Sequence, residues 1–525
     1  MGNSYEMRLI VFHSHYRPGG VRRIIELALP ALVHESRLRV DSLVLAGGEA
    51  PSTSWLASLR RQVPGVNLVT TTEAAAGYFS EIGGNPTVGQ VRATLVAWVE
   101  AVLGETSGAD TVVWAHNLGL GRNLAAISAW VDGCGRRGVR LVAHHHDWWF
   151  DNRWQRWPEL LRMGGRSLAA VARTVFSTTD HVRHATINRA DQHVLARELG
   201  GRVGWLPNLA EAGAAPSKMA VDAARVWLNR VLAERAPVWL VPCRMLRRKN
   251  FAEALLLTRW LRPEAWLVTT GGVSSAEEQP YSAALQAAAT RHGWRVKFSV
   301  LAGIEKTKPT VAALMGVSEA VLLTSLQEGF GLPNLEAAAA GRPLLVRTLQ
   351  NIAPDLAEFG FRFPQAYSEI WIERTLFDAR AETARQEAYW QAWRAGLPRT
   401  CRAWATRPPW WDASGPVAFS RLTLTAQLEV LAHPAEESWA RCAPLNFALR
   451  RWRGRVATKT LRVSNWPRDA VRRLGSKAYG RGFAQLLETM PGMVTDGASE
   501  RISKEFFRAK LAGENQYPML WSLNS

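Results

Sequence analysis

A chain of 525 residues is longer than one ordinary hydrophobic core, and at 47% apolar residues each of two to four domains can bury a core of its own. A net charge of +19 draws it towards anionic matter: nucleic acid, an anionic membrane face, or nucleotides and phosphorylated substrates. The four cysteines, Cys134, Cys243, Cys401 and Cys442, are widely spaced with no CxxC pair, which argues against a disulfide framework and against a zinc site.

The chain opens with Met1-Gly-Asn-Ser-Tyr-Glu-Met-Arg and runs directly into Leu9-Ile-Val-Phe12, too short for the apolar core of a signal peptide. No apolar run approaches the length of a membrane span, so the chain reads as cytoplasmic. Short apolar runs at Leu9–Phe12, Val40–Leu45, Val66–Thr70, Thr111–Ala115, Leu141–Ala143, Thr174–Ser177 and Val203–Leu206 are expected strands. Helical patterns at Val21–Val33, Val91–Leu103, Gly121–Cys134 and Leu160–Val171 fall between them. That alternation is the pattern of a parallel, doubly wound α/β domain over 1–208.

Pro207-Asn208 and the Ala/Gly/Pro-rich stretch Ala210–Ser217 read as a linker, after which the alternation restarts. Strands are expected at Val238–Val241, Trp266–Thr270, Val296–Val300, Ala320–Thr324 and Leu344–Arg347, and helices at Phe251–Trp260, Tyr281–Arg291 and Leu335–Ala340, giving a second domain over 209–365. Two such domains facing one another would form a cleft at the carboxyl ends of both sheets. Residues 366–432 turn helical and tryptophan-rich, and 433–525 form a basic, tryptophan-containing extension. Between Arg441 and Arg481 twelve Lys or Arg face one acid, Asp469, interleaved with Trp452, Trp466 and Tyr479. Peripheral contact with an anionic membrane is one reading of 441–481; a solvated basic face with its aromatic residues packed inward is the other. No nucleic-acid-binding motif accompanies the charge, so no nucleic-acid partner is expected.

Four stretches carry candidate chemistry. Ser325-Leu-Gln-Glu-Gly-Phe-Gly-Leu-Pro-Asn-Leu-Glu336 joins a strand to a helix; Gly329 and Gly331 let the backbone approach a ligand, the helix presents N–H groups to it, and Glu328 and Glu336 bracket the turn. Their carboxylates suit two separate sets of hydroxyls. Arg244 and Lys249 follow the first strand of the second domain, where two cations can neutralise a diphosphate; Arg247 and Arg248 read as surface charge. Arg17-Pro-Gly-Gly-Val21 places Gly19 and Gly20 where a strand gives way to a helix. His144-His-His-Asp147 ends the strand Leu141–Ala143; adjacent histidines point in different directions and cysteine ligands are lacking, so no metal is expected. His116 and Asn117 end another strand, and Trp148 and Trp149 read either as a stacking surface for a sugar or acceptor or as core.

Ser325 to Pro343 resembles the Glu-x7-Glu signature of the retaining GT-B glycosyltransferases of family 4, and the similarity runs in patches from about residue 8 to residue 431. The resemblance implies the GT-B fold, two Rossmann-like domains across a cleft, the first on the acceptor side and the second holding a nucleotide sugar. It implies that Arg244 and Lys249 hold the diphosphate, that Glu336 meets the ribose, and that Glu328 and the backbone of Gly329, Phe330, Gly331 and Leu332 meet the sugar hydroxyls. His146 would contact the donor sugar, and Gly19-Gly20 matches the family's N-terminal glycine loop.

The implied reaction moves a hexosyl unit from a nucleoside diphosphate sugar to a hydroxyl of a glycan, lipid or small polyol, by front-side attack and without metal or cofactor. The helix Phe419–Leu431 resembles the one that returns to the first domain in family members. Trp205-Leu-Pro-Asn208 resembles the interdomain turn, but the aspartate that usually follows is missing, with Glu211 as a substitute. The alternative is a catalytically silent GT-B binding module.

Overall fold

The computed structural model describes residues 7–36, 38–105, 108, 110–151, 153–213, 215–273, 276–303, 308–490 and 492–521. They form two compact units. Unit 1 is the chain up to Glu211 together with Gly396–Ala405 and Val471–Ala512; unit 2 is Ala212–Ala395, Thr406–Ala470 and the chain from Gly513. No helix among the described residues is long and apolar enough to cross a membrane.

Unit 1 is built on β1 (Met7–His13), β2 (Val40–Gly47), β3 (Asn67–Thr72), β4 (Thr111–His116), β5 (Arg140–His145), β6 (Val182–Thr186) and β7 (Val203–Trp205). They pair in parallel in the order β3-β2-β1-β4-β5-β6-β7. A parallel sheet covered on both faces needs strands that are apolar throughout, and Leu9–Phe12 and Val112–Ala115 are buried without a break. The strand order reverses between β1 and β4. The carboxyl ends of those two strands are therefore the place where loops splay apart and leave room for a ligand.

Unit 2 repeats the plan with β8 (Val238–Val241), β9 (Trp266–Thr269), β10 (Val296–Lys297), β11 (Ala320–Leu323), β12 (Leu344–Arg347) and β13 (Gln365–Tyr367), ordered β10-β9-β8-β11-β12-β13 and again parallel. Its reversal lies between β8 and β11. The loops that follow these two strands carry Arg244 to Lys249 and Ser325 to Leu332.

Two expectations are corrected, and one strand hidden in the sequence is added. The strand expected at Thr174–Ser177 is absent: Ser167 caps a helix over Leu168–Val175 through its hydroxyl, and the sheet is continued by β6 instead. β6 reads Val-Arg-His-Ala-Thr, and its polar residues hide a fully buried strand; Arg183 is spent on the carbonyls of Asp180, Val182 and Thr489, while His184 meets His145 and the carbonyl of Ser177. The helix expected to return to the first domain, here Leu424–Ala432, packs within unit 2 against Phe251–Leu261.

The return is made by 471–512, inside what the sequence presents as an extension. There the helix Ser476–Glu488 lays Tyr479, Phe483, Leu486 and Leu487 into the same core as Leu9, Leu29, Trp114 and Leu206. Arginines from the sheet then hold the chain beyond it: Arg140 donates to the Leu487 carbonyl (3.2 Å), Arg183 to Thr489 (2.8 Å) and Arg202 to Gly492 (2.9 Å).

Because Phe483 is wholly buried in the unit 1 core, Phe483→Ala is expected to lower unfolding stability by about 3–5 kcal/mol, as measured by denaturant titration. A loss below about 1 kcal/mol would show that 471–512 is not part of that core.

Candidate functional site

In unit 2 the two loops at the strand reversal are fastened together. Leu326 N–H donates to the Arg248 carbonyl (2.7 Å), and the Thr324 hydroxyl is shared between the carbonyls of Lys249 and Asn250 (2.8 and 3.0 Å). Across this seam Glu328 collects donors. Its Oε1 accepts from the Lys249 ammonium and from the Ser325 hydroxyl (2.7 Å), and its Oε2 accepts from Arg248 Nη1 (3.3 Å). Its backbone carbonyl accepts from Asn351 Nδ2 (2.7 Å).

Burial pushes the Glu328 carboxyl upward, but Lys249 and Arg248, with the hydrogen bonds from Lys249 and Ser325, more than cancel it and hold the pKa at about 2. The group is a carboxylate at any physiological pH. It can accept hydrogen bonds from hydroxyls but cannot serve as a proton donor.

The turn that follows has glycine for a steric reason. Gly331 has φ +85° and caps the helix Leu332–Ala339, and a Cβ there would stand 2.5 Å from Asn334 Nδ2 and 2.9 Å from Ile352 Cδ1. Phe330 is buried beside Phe359 and anchors the turn. Glu336 lies on the exposed side of the helix. The thiol of Cys243, at the end of β8, is raised chiefly by burial and also feels Lys249, Glu328, Arg248 and Glu336. These four charges, distant along the chain, gather about one strand end. Arg244 is exposed on the same loop, with its backbone laid against Gly271.

Arg247 and Arg248 are not surface charge. Arg248 belongs to the Glu328 cluster, and Arg247 is buried over the ring of Tyr281, 5.2 Å from its centroid. A run of three cations hides this, because which of them faces inward depends on the one-turn helix Arg247–Lys249. The next helix, Phe251–Leu261, is pinned from beneath by Glu253, which takes both its oxygens to Arg347 Nη2 (2.6 and 2.5 Å) and one to the Tyr367 hydroxyl (2.7 Å).

In unit 1 the strand reversal is walled by histidines. His13 ends β1, His116 ends β4, and His144 and His146 lie at the end of β5. His116 Nδ1 and His146 Nε2 share a hydrogen at 3.0 Å, their rings stacked at 5.3 Å. Burial lowers all four, His146 to about 4, so the wall is neutral at pH 7. A pocket opens beside it, lined by His13, Tyr78, His116, Asn117, Arg122 and Asn123. Asn117, in the left-handed region at φ +61°, accepts through Oδ1 from the backbone N–H of His146 (3.3 Å) and Asp147 (2.9 Å), which fixes where the His-Asp step turns.

His116, His144 and His146 bring ligand nitrogens within 4.8 Å of one another. His144 accepts from Trp114 Nε1 and meets the Leu206 carbonyl, and His116 Nδ1 and His146 Nε2 bind each other, while His116 Nε2 is buried with no hydrogen-bond partner among the described residues. Gly19 and Gly20 start the helix Gly20–His34 beside this wall, and a Cβ on Gly20 would meet nothing within 4 Å. That glycine is not required by internal packing.

Of the open alternatives, the tryptophans resolve towards packing. Trp148 and Trp149 are buried among Phe150, Phe506 and Phe507 and offer no stacking face. Within 441–481, Trp452 and Tyr479 are buried and Trp466 abuts Phe361 (5.2 Å), whereas Phe447 is exposed at 68%. Glu211 does find a role as a local acceptor, from the N–H (3.2 Å) and hydroxyl (2.6 Å) of Ser476 within unit 1.

Removing the Glu328 charge leaves Lys249 buried without a counterion, so Glu328→Gln is expected to cost about 3 kcal/mol at pH 7. Since folding lowers the pKa of Glu328, its contribution is complete above the unfolded-chain value of about 4.3 and disappears as pH falls to about 2. Denaturant unfolding of both proteins should show the gap closing over that window; a gap independent of pH would mean that the pair does not form.

Residues 229–361 match the family of glycosyl transferases group 1. The mannosylglucosyl-3-phosphoglycerate synthase of Petrotoga mobilis is 23% identical over 357 residues, an alignment that spans 66% of this chain and 65% of that relative. Among solved structures, the N-terminal domain of Candida albicans trehalose-6-phosphate phosphatase superposes with TM-score 0.51 at 11% identity, covering 93% of this chain and 98% of its own. Anabaena Alr3699/HepE in complex with UDP-glucose gives TM-score 0.47 at 16% identity, over 86% and 99% of the two chains. The family match falls within unit 2, on the stretch that holds Arg244, Lys249, Glu328 and Glu336.

Proposed function

We propose that the chain is a retaining glycosyltransferase that moves a hexosyl unit from a nucleoside diphosphate sugar to a hydroxyl acceptor. The observation that carries this reading is the gathering of Lys249, Arg248, Ser325, Glu328 and the Gly331 turn at the strand reversal of unit 2. A cationic loop, a helix N-terminus and a permanently ionised carboxylate suit a ligand that is anionic at one end and rich in hydroxyls at the other. The name of the Petrotoga relative, a synthase of a glycosylated phosphoglycerate, supports the same reaction class.

In this reading Arg244 and Lys249 take the diphosphate, Glu336 the ribose, and Glu328 with the Gly329–Leu332 backbone the sugar hydroxyls. The ammonium of Lys249, now neutralised by Glu328, gains the diphosphate as a second anion and stabilises it as it leaves. Those cations and the helix end supply the positive charge, so the reading calls for no metal ion or cofactor. His146, neutral and oriented by His116 and Asn117, is assigned to the donor sugar. The bond from the sugar C1 to the leaving phosphate oxygen breaks, a bond from C1 to the acceptor oxygen forms on the same face, and the acceptor proton passes to the leaving phosphate. The acceptor hydroxyl is assigned to the unit 1 pocket beside the histidine wall. The cations of 441–481, with the exposed Phe447 among them, add attraction to an anionic surface.

A thermal-shift screen against UDP-, GDP- and ADP-sugars tests the donor: a ligand at a hundred times its dissociation constant stabilises by about 2.7 kcal/mol. Glu328→Ala and Lys249→Ala are each expected to reduce transfer at least about a hundredfold, as loss of one charge-stabilising group does. Near-normal turnover in both would overturn the assignment, and donor binding without transfer in the wild type would identify a catalytically silent binding module.

A further inference from the structure

The helix Ala498–Ala512 lies against the helices Leu168–Val175 and Arg189–Leu199 of unit 1 and drives two aromatic residues into the segment after β5. Phe506 meets Trp148, Phe150 and Phe176 at centroid distances of 5.2, 5.3 and 5.9 Å; Phe507 meets Trp149, Phe150 and Trp154 at 5.4, 5.2 and 5.1 Å. One turn further on, the same helix places the Lys510 ammonium 2.7 Å from Asp151 Oδ1. Asp191 is close enough to both to feel each of them.

The two carboxylates hold the turn that begins at His146. Asp151 Oδ2 accepts from the Trp148 backbone N–H (3.2 Å), and Asp191 Oδ2 accepts from the Trp148 indole N–H (2.8 Å) and from Asn188 Nδ2 (3.1 Å). On the other side Asn117 holds the N–H of His146 and Asp147, and Arg153 lies 3.6 Å from Asp147 and donates to the Trp148 carbonyl (3.1 Å). Two acids beside an aromatic wall repel one another unless a cation stands with them. Lys510 is the cation facing both.

We propose that Lys510 is a positioning residue: by pairing with Asp151 beside Asp191 it fixes the turn that sets His146, which makes the helix Ala498–Ala512 a working part of the unit 1 site. The proposal rests on the reading of His146 as a contact for the donor sugar. Its physical content, that the order of the turn depends on charge balance at Lys510, is testable without that reading.

Hydrogen exchange on the full chain supplies the first test. In Lys510→Met the amides of Asp147 and Trp148 should exchange at least tenfold faster than in the wild type, while amides of the Arg247–Asn250 loop in unit 2 keep their rates. Lys510→Met combined with Asp151→Asn removes both charges of the ion pair, keeps an acceptor for the Trp148 backbone N–H, and should restore slow exchange. Unchanged exchange in the single variant, or a double variant no better than the single, would overturn the proposal in favour of simple packing.

Turnover supplies the second test, read as nucleoside diphosphate released from whichever of UDP-, GDP- and ADP-glucose the wild type consumes. The single variant should lose about tenfold to a hundredfold in kcat, as misplacement of a catalytic contact does, with donor KM within threefold of the wild type, and the double variant should regain most of the loss. His146→Ala is measured alongside. Normal kcat in His146→Ala defeats the functional reading itself, whereas a large loss there with normal kcat in Lys510→Met defeats only the proposal about Lys510. If Lys510→Met does not fold, the charge-balanced double variant carries the test: slow exchange and kcat within threefold of the wild type support the proposal, and failure to fold overturns it.

Discussion

The ion pair between Lys249 and Glu328 is the constraint on which the geometry of unit 2 turns. It joins the loops after β8 and β11, at the one place where the strand order of that sheet reverses. Both side chains are largely buried, and neither could stay charged there alone. Ser325, Arg248 and the two backbone carbonyls bound by Thr324 make the pairing a seam rather than a single contact. Once the seam is closed, the Gly331 turn and the helix behind it have fixed positions, and Glu336 and Arg244 are carried by elements already placed.

Unit 1 solves a similar problem with neutral groups. Burial keeps its histidines uncharged, so they can stand side by side where imidazolium ions would repel. The strand ends and Asn117 set their orientation, and the segment after β5 is completed from the far end of the chain. Each unit thus concentrates its polar chemistry at a strand reversal, and each supports it from below or behind with a buried ion cluster: Glu253 with Arg347 in unit 2, Asp151 and Asp191 with Lys510 in unit 1.

Much of this was legible in the residues. The alternation of apolar runs and helical patterns announced two parallel sheets, because strands buried on both faces must be apolar throughout, as Leu9–Phe12 and Ala320–Leu323 are. Glu328, Gly331 and Lys249 stand out because they fall in stretches whose pattern resembles the glycosyltransferase signature. What misled were segments whose polar residues are satisfied inside. β6 looks unlike a buried strand because Arg183 and His184 find their partners on other elements. Arg247 and Arg248 look like surface charge for the same reason.

The sequence by itself determined most of the strands, turns and helix starts, β6 and the helix Leu168–Val175 excepted, because those preferences act over a few positions. Tertiary structure alone decided that Val471–Ala512 completes the first unit, and that Lys510 stands beside Asp151. It also decided which of three consecutive cations meets Tyr281 and which meet Glu328. Such choices rest on charge pairing and packing between segments tens to hundreds of residues apart, and a local pattern of residue types does not encode a distant partner.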